Sequence, residues 1–280
     1  MSIIKMLDLP VLGDSRGSLI ALEENKNIPF SVKRIYYIFN TSLGVARGFH
    51  AHRNLKQLLI CVAGHCKVIL DDGEVREEVL LDSPTKALLV ESMVWREMHD
   101  FSPGCVLLVL ASDYYDELDY IRDYERFLAQ SKLELVEYTE VFLELSWRWL
   151  NIPLIKEMTM TPDFSRAQQA DFFSRIGPSH GNYVFGIAQN KKNIGACGVK
   201  NISGGSGELW LYIGEKEYWG LGLGRVIITK LEEIARLAGL SRLYLKVSSK
   251  NESAINLYLR AGYLIKSEAC AGLINMEKML

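Results

Sequence analysis

The sequence shows a strand-like hydrophobic pattern in its first half and a helical one in its second half, and this order is compatible with few folds. Up to about residue 111 the chain reads as short strands broken by turns, as in CKVILDDGEVREEVLLD, where Asp72-Gly73 joins two alternating runs in a two-residue hairpin. From about residue 131 apolar residues recur at helical spacing, as in RVIITKLEEIARLAGL, between strand-like segments such as GELWLYIG. The pattern predicts an all-β half followed by an α/β or α+β half.

A length of 280 residues accommodates two domains of about 100 to 200 residues each. The change of pattern falls within FLAQSKLELVEY, residues 127–138, and this segment contains no linker rich in Pro, Gly or Ser. We therefore predict a first domain over residues 1–131 and a second over residues 132–280, closely joined.

Composition argues against several classes of function. With 32 Lys and Arg against 34 Asp and Glu, the net charge of -2 shows no basic footprint for nucleic acid. No run approaches the roughly 18 apolar residues of a membrane span, and the first residues lack the charged and apolar regions of a signal peptide. We expect a cytoplasmic protein that acts on small molecules, with no nucleic-acid or membrane partner.

Cysteine usage is consistent with a reducing compartment. The five cysteines are odd in number, scattered, and never form a CxxC pair. This pattern argues against a disulfide framework or a thiolate zinc site. We expect the thiols to be reduced and mostly structural.

The segment GFHAHRNLKQ places His50 and His52 on the same face of a strand, because side chains alternate. The spacing Gly44-(x)5-His50-x-His52-(x)4-Gln57-(x)6-Gly64 resembles the first motif of the cupin superfamily, whose barrel interior would receive both histidines. Metal-binding cupins carry Glu where this chain has Gln57. Imidazole titrates near pH 6.5 and can move protons at neutral pH without a metal.

The third ligand of a cupin metal site is also missing from the sequence. The segment DSPTKALLVESMVWREMH offers Trp95 or Arg96 where the family has a histidine, and His99 lies a few residues late. We therefore predict no metal and an acid/base role for the pair. Two less favoured alternatives remain, a metal site rescued by His99 and two histidines that are merely packed in the core.

Several blocks within residues 3–130 resemble the sugar 3,4-ketoisomerases that act on dTDP-4-keto-6-deoxyglucose. They are DSRGSL, VKRIYYIFN, RGFHAHRNLKQLLICVAG, LDDGEVR and LASDYYDELDYIRDYERFL. The resemblance implies a flattened antiparallel β-barrel or jelly roll, a strand-swapped dimer, and a dTDP-sugar bound inside the barrel. The implied reaction moves a ketone from C4 to C3 through an enediol.

The same resemblance implies roles for individual residues. His50 matches the catalytic histidine and would remove the C3 proton, with His52 as its partner or as a proton donor. Tyr37 would hydrogen-bond the sugar or be an ordinary packed tyrosine. The substrate-binding candidates are Arg16, Arg34, Tyr37, Arg47 and Gln57. The Arg16-Gly17 pair resembles the branch of the family that forms the galacto product.

In the second half, Gly220, Gly222 and Gly224 lie between a strand and a long amphipathic helix. Glycines at such a turn let backbone N–H groups approach a pyrophosphate. The segment lacks the context of a Rossmann fingerprint and the GK[ST] of a P-loop. With the downstream pattern N-x-x-A-x-x-x-Y-x-x-x-G-Y it resembles the GNAT acetyltransferases over residues 132–280, except that Trp219 replaces their Gln or Arg.

This second resemblance implies an acetyl-CoA site between the strands LWLYIG and LYLKVS. The cofactor-binding candidates are Leu221, Gly222, Leu223, Gly224, Arg225 and Asn251. Asn251 would bind CoA or only cap the helix, for which Ser249 and Glu252 form a capping-box pattern. Tyr258 matches the general acid, and Glu208 is a candidate base or, more readily, an exposed charge at a strand end.

Taken together, the two resemblances bracket a missing step. A 3-keto sugar is the substrate of a pyridoxal-phosphate aminotransferase, and the resulting 3-amino sugar is the acceptor of an N-acetyltransferase. The hypothesis is a bifunctional enzyme of 3-acetamido-3,6-dideoxyhexose synthesis for surface glycans such as O-antigen or S-layer chains. The alternatives are a sugar-sensing cupin fused to a protein-amine acetyltransferase, and an isomerase with an inactive acyl-CoA-binding domain.

Overall fold

The computed structural model describes residues 2–24, 26–176, 181–269 and 272–280. The chain divides into two compact units, Met1–Ser131 and Lys132–Leu280. Cys270 lies outside the described residues, whereas Cys61, Cys66, Cys105 and Cys197 are buried free thiols. No helix of the described chain is long and apolar enough to cross a membrane.

The first unit consists almost entirely of β-strands. These are β1 (Lys5–Asp8), β2 (Leu12–Asp14), β3 (Gly17–Leu19), β4 (Arg34–Ile38), β5 (Arg47–His52), β6 (Gln57–Ala63), β7 (Cys66–Asp71), β8 (Arg76–Leu81), β9 (Lys86–Val90), β10 (Trp95–His99), β11 (Val106–Ala111) and β12 (Tyr120–Ile121), followed by helix α1 (Tyr124–Ser131). One antiparallel sheet has the order β1-β9-β6-β11-β4 and the other the order β12-β5-β10-β7-β8, while β2 and β3 form a separate hairpin.

The two sheets pack face to face around an apolar core. The sequence of β6 is continuously apolar because both faces of the strand are buried. Leu59 and Cys61 belong to the cluster between the sheets, and Leu58 and Ile60 belong to a second cluster on the outer face. A strand covered on both faces has no polar side to alternate with. The all-β fold predicted for the first half is therefore confirmed, with its strands in two packed antiparallel sheets.

The predicted hairpin between β7 and β8 is present, but its turn is shifted by one residue. The N–H of Asp72 donates to the carbonyl of Val75, so the turn is centred on Gly73 and Glu74. The Asp72 carboxylate accepts from the N–H groups of Glu74 and Val75 at 2.9 Å each. Gly73 has a φ of 95°, a conformation that glycine adopts without strain.

The second unit mixes helices with one mainly antiparallel sheet. Its elements are β13 (Leu133–Glu137), α2 (Glu140–Leu150), α3 (Pro153–Thr159), α4 (Arg166–Ser174), β14 (Tyr183–Gln189), β15 (Lys192–Ser203), β16 (Ser206–Ile213), α5 (Leu223–Leu237), β17 (Arg242–Ser248), α6 (Glu252–Arg260), β18 (Leu264–Ala269) and β19 (Leu273–Met279). Across the described residues the sheet order is β13-β14-β15-β16-β17-β19-β18. The predicted α+β fold of the second half is confirmed.

Strands β16 and β17 are parallel neighbours that separate after a short contact. Their pairing runs from Ser206 with Arg242 to Glu208 with Tyr244. Beyond this point β16 continues to pair with β15, and β17 continues to pair with β19. The sheet therefore opens as a fork between these two strands, and their unpaired backbone groups face a gap.

Candidate functional site

A β-bulge in β5 shapes the histidine site of the first unit. Arg96 on β10 pairs with His50 and Glu97 pairs with Gly48, so Phe49 has no partner in the ladder. Gly48 has a φ of 91°, and a Cβ there would lie 2.7 Å from the carbonyl oxygen of Arg96. Glycine is required because the two backbones approach so closely.

His50 is held in one tautomer. Its Nδ1 lies 2.9 Å from the carbonyl oxygen of Gly48, which can only accept, so Nδ1 carries the proton and Nε2 the lone pair. Burial, followed by the positive charge of Arg96, lowers the pKa of His50 to about 3. The imidazole is therefore neutral at pH 7, with Nε2 available to accept a proton.

His52 is almost completely buried and is oriented by a carboxylate. Its Nδ1 donates to Asp119 Oδ2 at 2.9 Å. Burial lowers the pKa of His52. Burial would raise the pKa of Asp119, but hydrogen bonds donated by His52 and by the Asn54 N–H outweigh this effect, so the pKa of Asp119 is lowered. The buried Nε2 of His52 has no hydrogen-bond partner among the described residues.

Tyr120 joins the two histidines into one aromatic cluster. Its ring centroid lies 4.9 Å from that of His50 and 4.2 Å from that of His52, and the two imidazoles are 4.9 Å apart. The Arg122 guanidinium lies over the Tyr120 ring, 4.3 Å from its centroid. Sequence reasoning missed Asp119 and Tyr120, although both lie in the block LASDYYDELDYIRDYERFL that carried the resemblance.

Two guanidinium groups bring uncompensated positive charge to this interior. Arg96 is fully buried, its Nε and Nη1 have no partner in the described chain, and burial lowers its pKa to about 10. Arg34 has an unpartnered buried Nε and lies 5.3 Å from the ring centroid of Tyr36. Because a buried charge without a partner is costly, both groups are suited to bind an anion.

The tyrosine facing this interior is Tyr36 and not the predicted Tyr37. Gln57 is buried, and its Nε2 donates to the Tyr36 hydroxyl at 2.8 Å. Tyr37 is 60 % exposed on the opposite face of β4. Within one chain Tyr37 therefore lies away from the histidines, because a shift of one position along a strand moves a side chain to the other face.

Two of the predicted arginines lie away from the histidines. Arg16 is exposed at the turn between β2 and β3, where its Nε binds the Asp14 carboxylate at 3.0 Å. Arg47 is exposed at the start of β5. Within one chain, the structure brings Arg34 and Gln57 to the site and leaves Arg16 and Arg47 outside it.

The donor set around the histidines is poorly suited to a metal cation. Gln57 supplies a neutral amide already bonded to Tyr36, and Arg96 places a positive charge beside His50. His99 does not rescue a site, because its Nε2 bonds Glu97 at 3.0 Å and its ring contacts Phe49. A cation in this interior would be repelled by the same guanidinium that attracts an anion.

In the second unit, the glycine-rich loop leads into α5 as predicted. Gly222 is the N-cap of α5 in the left-handed conformation, with a φ of 77° and no side-chain cap. A Cβ on Gly224 would lie 2.6 Å from Leu257 of α6, so the glycine permits the close packing of the two helices. The helix N-terminus is left open to an anion by this arrangement.

Side chains around the loop are already engaged within the protein. The Arg225 guanidinium donates to the carbonyl of Arg260 at the end of α6, and the Arg225 N–H donates to the carbonyl of Gly222 at 3.3 Å. Trp219 is 41 % exposed, and its indole N–H donates to the carbonyl of Ile213 at 2.9 Å. A phosphate at this loop would therefore be met by main-chain groups, Leu223 and Gly224 among them.

Helix α6 presents Tyr258 and is capped by Asn251. The Asn251 Oδ1 accepts from the N–H of Ala254 at 3.1 Å, which favours the capping alternative for this residue and corrects the capping box expected from Ser249. Tyr258 is buried, and burial raises its pKa, so the hydroxyl is protonated at neutral pH. A protonated phenol can act as a general acid.

Glu208 lies where β16 and β17 separate. Its side chain is only 13 % exposed; Oε2 accepts from Asn201 Nδ2 at 2.8 Å and Oε1 lies 3.5 Å from Lys200 Nζ. The reading of Glu208 as an exposed strand-end charge is wrong, because the cross-strand neighbours on β15 cover it.

Comparisons with known proteins bear on both units. The family model described as "FdtA: WxcM-like, C-terminal" matches residues 2–132. A relative from Aneurinibacillus thermoaerophilus, named TDP-4-oxo-6-deoxy-alpha-D-glucose-3,4-oxoisomerase, is 60% identical over 123 residues, which are 44% of this chain and 88% of the relative. The chain belongs to the sugar 3,4-ketoisomerase family. This ketoisomerase carries a second enzyme domain, since the model of the acetyltransferase (GNAT) family matches residues 146–263.

Solved ketoisomerase structures also resemble the first unit. A 3,4-ketoisomerase from Helicobacter canadensis is 47% identical, covers 47% of this chain and 98% of its own length, and has a TM-score of 0.46. A sugar 3,4-ketoisomerase from Thermoanaerobacterium thermosaccharolyticum in complex with TDP is 41% identical, covers 46% of this chain and 94% of its own, and has a TM-score of 0.45.

Proposed function

We propose that this ketoisomerase is a bifunctional enzyme of nucleotide-sugar synthesis. Its first unit converts dTDP-4-keto-6-deoxyglucose, the substrate named for the Aneurinibacillus relative, into the 3-keto sugar. Its second unit transfers an acetyl group from acetyl-CoA to the amine of a dTDP-3-amino-3,6-dideoxyhexose. The observation that carries the proposal is His50, which carries its proton on Nδ1 and pairs across the sheet with Arg96, a buried guanidinium whose Nε and Nη1 have no partner in the described chain.

The isomerisation needs a base for a carbon acid and a group that tolerates the resulting negative charge. The C4 carbonyl acidifies the C3 proton, and Nε2 of His50 accepts it. Charge develops on the enediolate oxygens, where Arg96 stabilises it in a low-dielectric interior. C4 then gains a proton, and the hydroxyl proton moves from O3 to O4, so the product is an isomer with no net loss of atoms.

The second histidine supports this proton transfer. Asp119 fixes the proton of His52 on Nδ1, and the His52 ring contacts both His50 and Tyr120. We assign His52 to orienting the cluster and Tyr120 to donating its hydroxyl proton to C4, which the proton held on Nε2 of His50 then replaces. The proposal uses no metal, because Gln57 and Arg96 occupy the positions from which a cupin would supply its ligands.

The galacto configuration of the product belongs to the proposal as well. It rests on the resemblance of Arg16-Gly17 to the galacto-forming branch, and Arg16 is exposed within a single chain. The hairpin of β2 and β3 also exposes Leu12 and Leu19, at 54% and 61%. In a dimer whose two chains exchange this hairpin, the partner would cover the leucines, and Arg16 would lie near the bound sugar.

The acetyl transfer would use the fork between β16 and β17. The backbone of the loop from Leu221 to Arg225 would meet the pyrophosphate, and the fork would receive the thioester. Glu208 would accept the proton that the attacking amine loses, and Tyr258 would donate one to the leaving thiolate. The residues present fit acetyl-CoA, since the N-terminus of α5 has no side-chain cap and the fork offers unpaired strand edges.

The order of the chemistry places a separate aminotransferase between the two activities. A pyridoxal-phosphate aminotransferase would convert the 3-keto product into the 3-amino acceptor. The proposed end product is a cytoplasmic dTDP-3-acetamido-3,6-dideoxyhexose for surface glycans. The two units on one chain would then catalyse the steps before and after the aminotransferase in the same pathway.

Isomerisation is tested by incubating the full chain with dTDP-4-keto-6-deoxyglucose in deuterated water and following C3 and C4 by NMR. We expect loss of the C3 proton signal, a new C3 ketone, and deuterium at C4 in the galacto configuration. A gluco signal would correct the stereochemistry alone. The absence of both exchange and a new ketone would remove the isomerase proposal.

Acetyl transfer is tested by thiol release from acetyl-CoA. We expect release with dTDP-3-amino-3,6-dideoxyhexose and none with peptide amines. The opposite preference would favour a sugar-sensing cupin joined to a protein-amine acetyltransferase. Binding of acetyl-CoA without release in either case would show an inactive acyl-CoA-binding domain.

A further inference from the structure

Three cysteine thiols converge at one end of the first unit, away from the histidines. Cys61 lies on β6, Cys66 begins β7, and Cys105 directly precedes β11. Their sulfur atoms all lie within 4.8 Å of one another, and Cys61 and Cys105 are 3.7 Å apart. Cys61 is four residues from Gln57 along the strand, roughly 13 Å, so the thiols are separate from the proposed active site.

These spacings suit a single threefold-coordinated atom. A bond of about 2.3 Å, the usual zinc–thiolate length, places three sulfurs about 4 Å apart around a central atom. Zinc itself prefers four ligands, and no further His, Cys, Asp or Glu of the described chain joins this group. Three soft sulfur ligands and no fourth favour a thiophilic element that accepts three bonds.

The apolar surroundings of the three thiols favour a bound complex with no net charge. The thiols belong to an apolar cluster with Phe101, Met98 and Leu107, and burial raises the pKa of Cys61 to about 12 and that of Cys66. Three thiolates around a monovalent or divalent ion would leave net negative charge in this apolar core, which is costly. Three thiolates around a trivalent atom give a neutral complex.

We propose that Cys61, Cys66 and Cys105 form a binding site for trivalent arsenic and related thiophilic elements of the same valence. Arsenite would react as As(OH)3 + 3 RSH → As(SR)3 + 3 H2O. Each As–O bond is replaced by an As–S bond, each thiol proton leaves in water, and arsenic remains trivalent, so no oxidant or reductant is required. The proposal is independent of the proposed function.

Two exposed turns flank the three cysteines, and we expect these turns to control access to the site. Cys61 and Cys66 flank the exposed turn of residues 63–65, and the exposed residues 103–104 precede Cys105. Ser102 holds the turns together, since its N–H donates to the His65 carbonyl and its Oγ accepts from the His65 N–H, each at 2.9 Å. Arsenite would therefore enter when these turns separate, without unfolding the sheets.

The test is intact-mass analysis of the reduced full chain after incubation with arsenite. We expect one arsenic per chain with the loss of three hydrogens, in wild type and equally in Cys197→Ala and Cys270→Ser controls. Cys61→Ala, Cys66→Ala and Cys105→Ala should each lose this adduct. An unchanged adduct in any of these three, or none in wild type, would overturn the proposal.

Two further measurements do not depend on how well the cysteine variants fold. X-ray absorption of the arsenic-loaded wild type should show three sulfur neighbours and no oxygen, and oxygen in the shell would contradict three-thiol binding. Ser102→Ala should bind arsenic to the same stoichiometry at a several-fold higher rate, because one hydrogen bond between the two turns is removed. An unchanged rate would contradict the proposed route of entry, and stoichiometric zinc in wild type would overturn the charge argument.

Discussion

At the scale of single residues, the histidine site depends on which atoms carry protons. A carbonyl fixes the proton of His50 on Nδ1 and a carboxylate fixes that of His52 on Nδ1. Neither tautomer can be predicted from the spacing His-x-His, because one fixing group lies in a bulge and the other, Asp119, is distant along the chain. Which histidine nitrogen acts as the base therefore depends on local geometry as well as on residue type.

The lowered pKa of His50 predicts an unusual pH profile for isomerisation. His50 must be neutral to accept a proton, and with a pKa near 3 it stays neutral as the pH falls through 6.5. We expect kcat/KM to stay constant as the pH falls below 6.5 and to decline only as the pH approaches the His50 pKa of about 3. Initial rates between pH 4 and 8 measure this, since kcat/KM reports the free enzyme.

Arg96 provides the control for the pH profile. Its charge is the second cause of the low pKa, after burial. Arg96→Gln should therefore move the acid limb upward toward 6.5 as well as reduce the rate. A wild-type limb at 6.5 would show that His50 titrates normally or is not the base.

The neighbouring tyrosines of β4 offer a matched pair. Tyr36 accepts a hydrogen bond from Gln57 and keeps its own O–H for a ligand, whereas Tyr37 points out of the unit. Tyr36→Phe should lower kcat/KM for isomerisation by about five- to tenfold, the equivalent of roughly 1 kcal/mol for one hydrogen bond. Tyr37→Phe should change it by less than about twofold, and the reverse order would restore the sequence-based choice of Tyr37.

At the scale of elements, the loop before α5 binds through its backbone. Gly222 adopts a φ of 77°, which costs roughly 1–2 kcal/mol for a residue with a Cβ. Gly222→Ala should therefore weaken acetyl-CoA binding by about five- to thirtyfold, as calorimetric titration would measure. Trp219→Gln, which restores the family's residue, should change the affinity by less than about threefold.

The Trp219 result separates two views of this loop. If main-chain groups meet the pyrophosphate, the side chain at position 219 matters little, because its indole N–H is already bonded to Ile213. A large loss of affinity in Trp219→Gln would instead show that the indole itself contacts acetyl-CoA.

At the scale of the whole molecule, the two activities should be separable within the full chain. His50→Asn should reduce isomerisation by about 10²–10⁴-fold, the usual contribution of a general base, and leave acetyl transfer unchanged. Tyr258→Phe should slow only acetyl transfer. His65→Asn, at an exposed turn of the first unit, is the control for His50. Loss of both activities in either variant would indicate misfolding or coupling.

Self-association is the second whole-molecule prediction. The first unit exposes Leu12 and Leu19 on its hairpin and Ile35 on the edge strand β4, at 54%, 61% and 63%. Sedimentation should give twice the chain mass of 31.7 kDa. Leu19→Glu should shift the protein toward monomer, whereas Leu237→Glu, on α5 of the second unit, should not. A wild-type monomer would contradict the dimer.

The sequence by itself determined the features that depend on local order. Alternating and helical periods predicted an all-β half followed by an α/β or α+β half, His-x-His put two imidazoles on one face, and three alternate glycines marked the turn into α5. These signals survive because strand and helix geometry repeats over a few residues, whatever the rest of the chain does.

Only the tertiary structure decided which distant groups meet those residues. The register of β4 chose Tyr36 over Tyr37, the pairing of β12 with β5 brought Asp119 and Tyr120 to the histidines, and β10 buried Arg96 beside them. The same long-range pairing gathered three cysteines that had read as scattered. Contacts between strands far apart in sequence are set by register and bulges, and no local period encodes them.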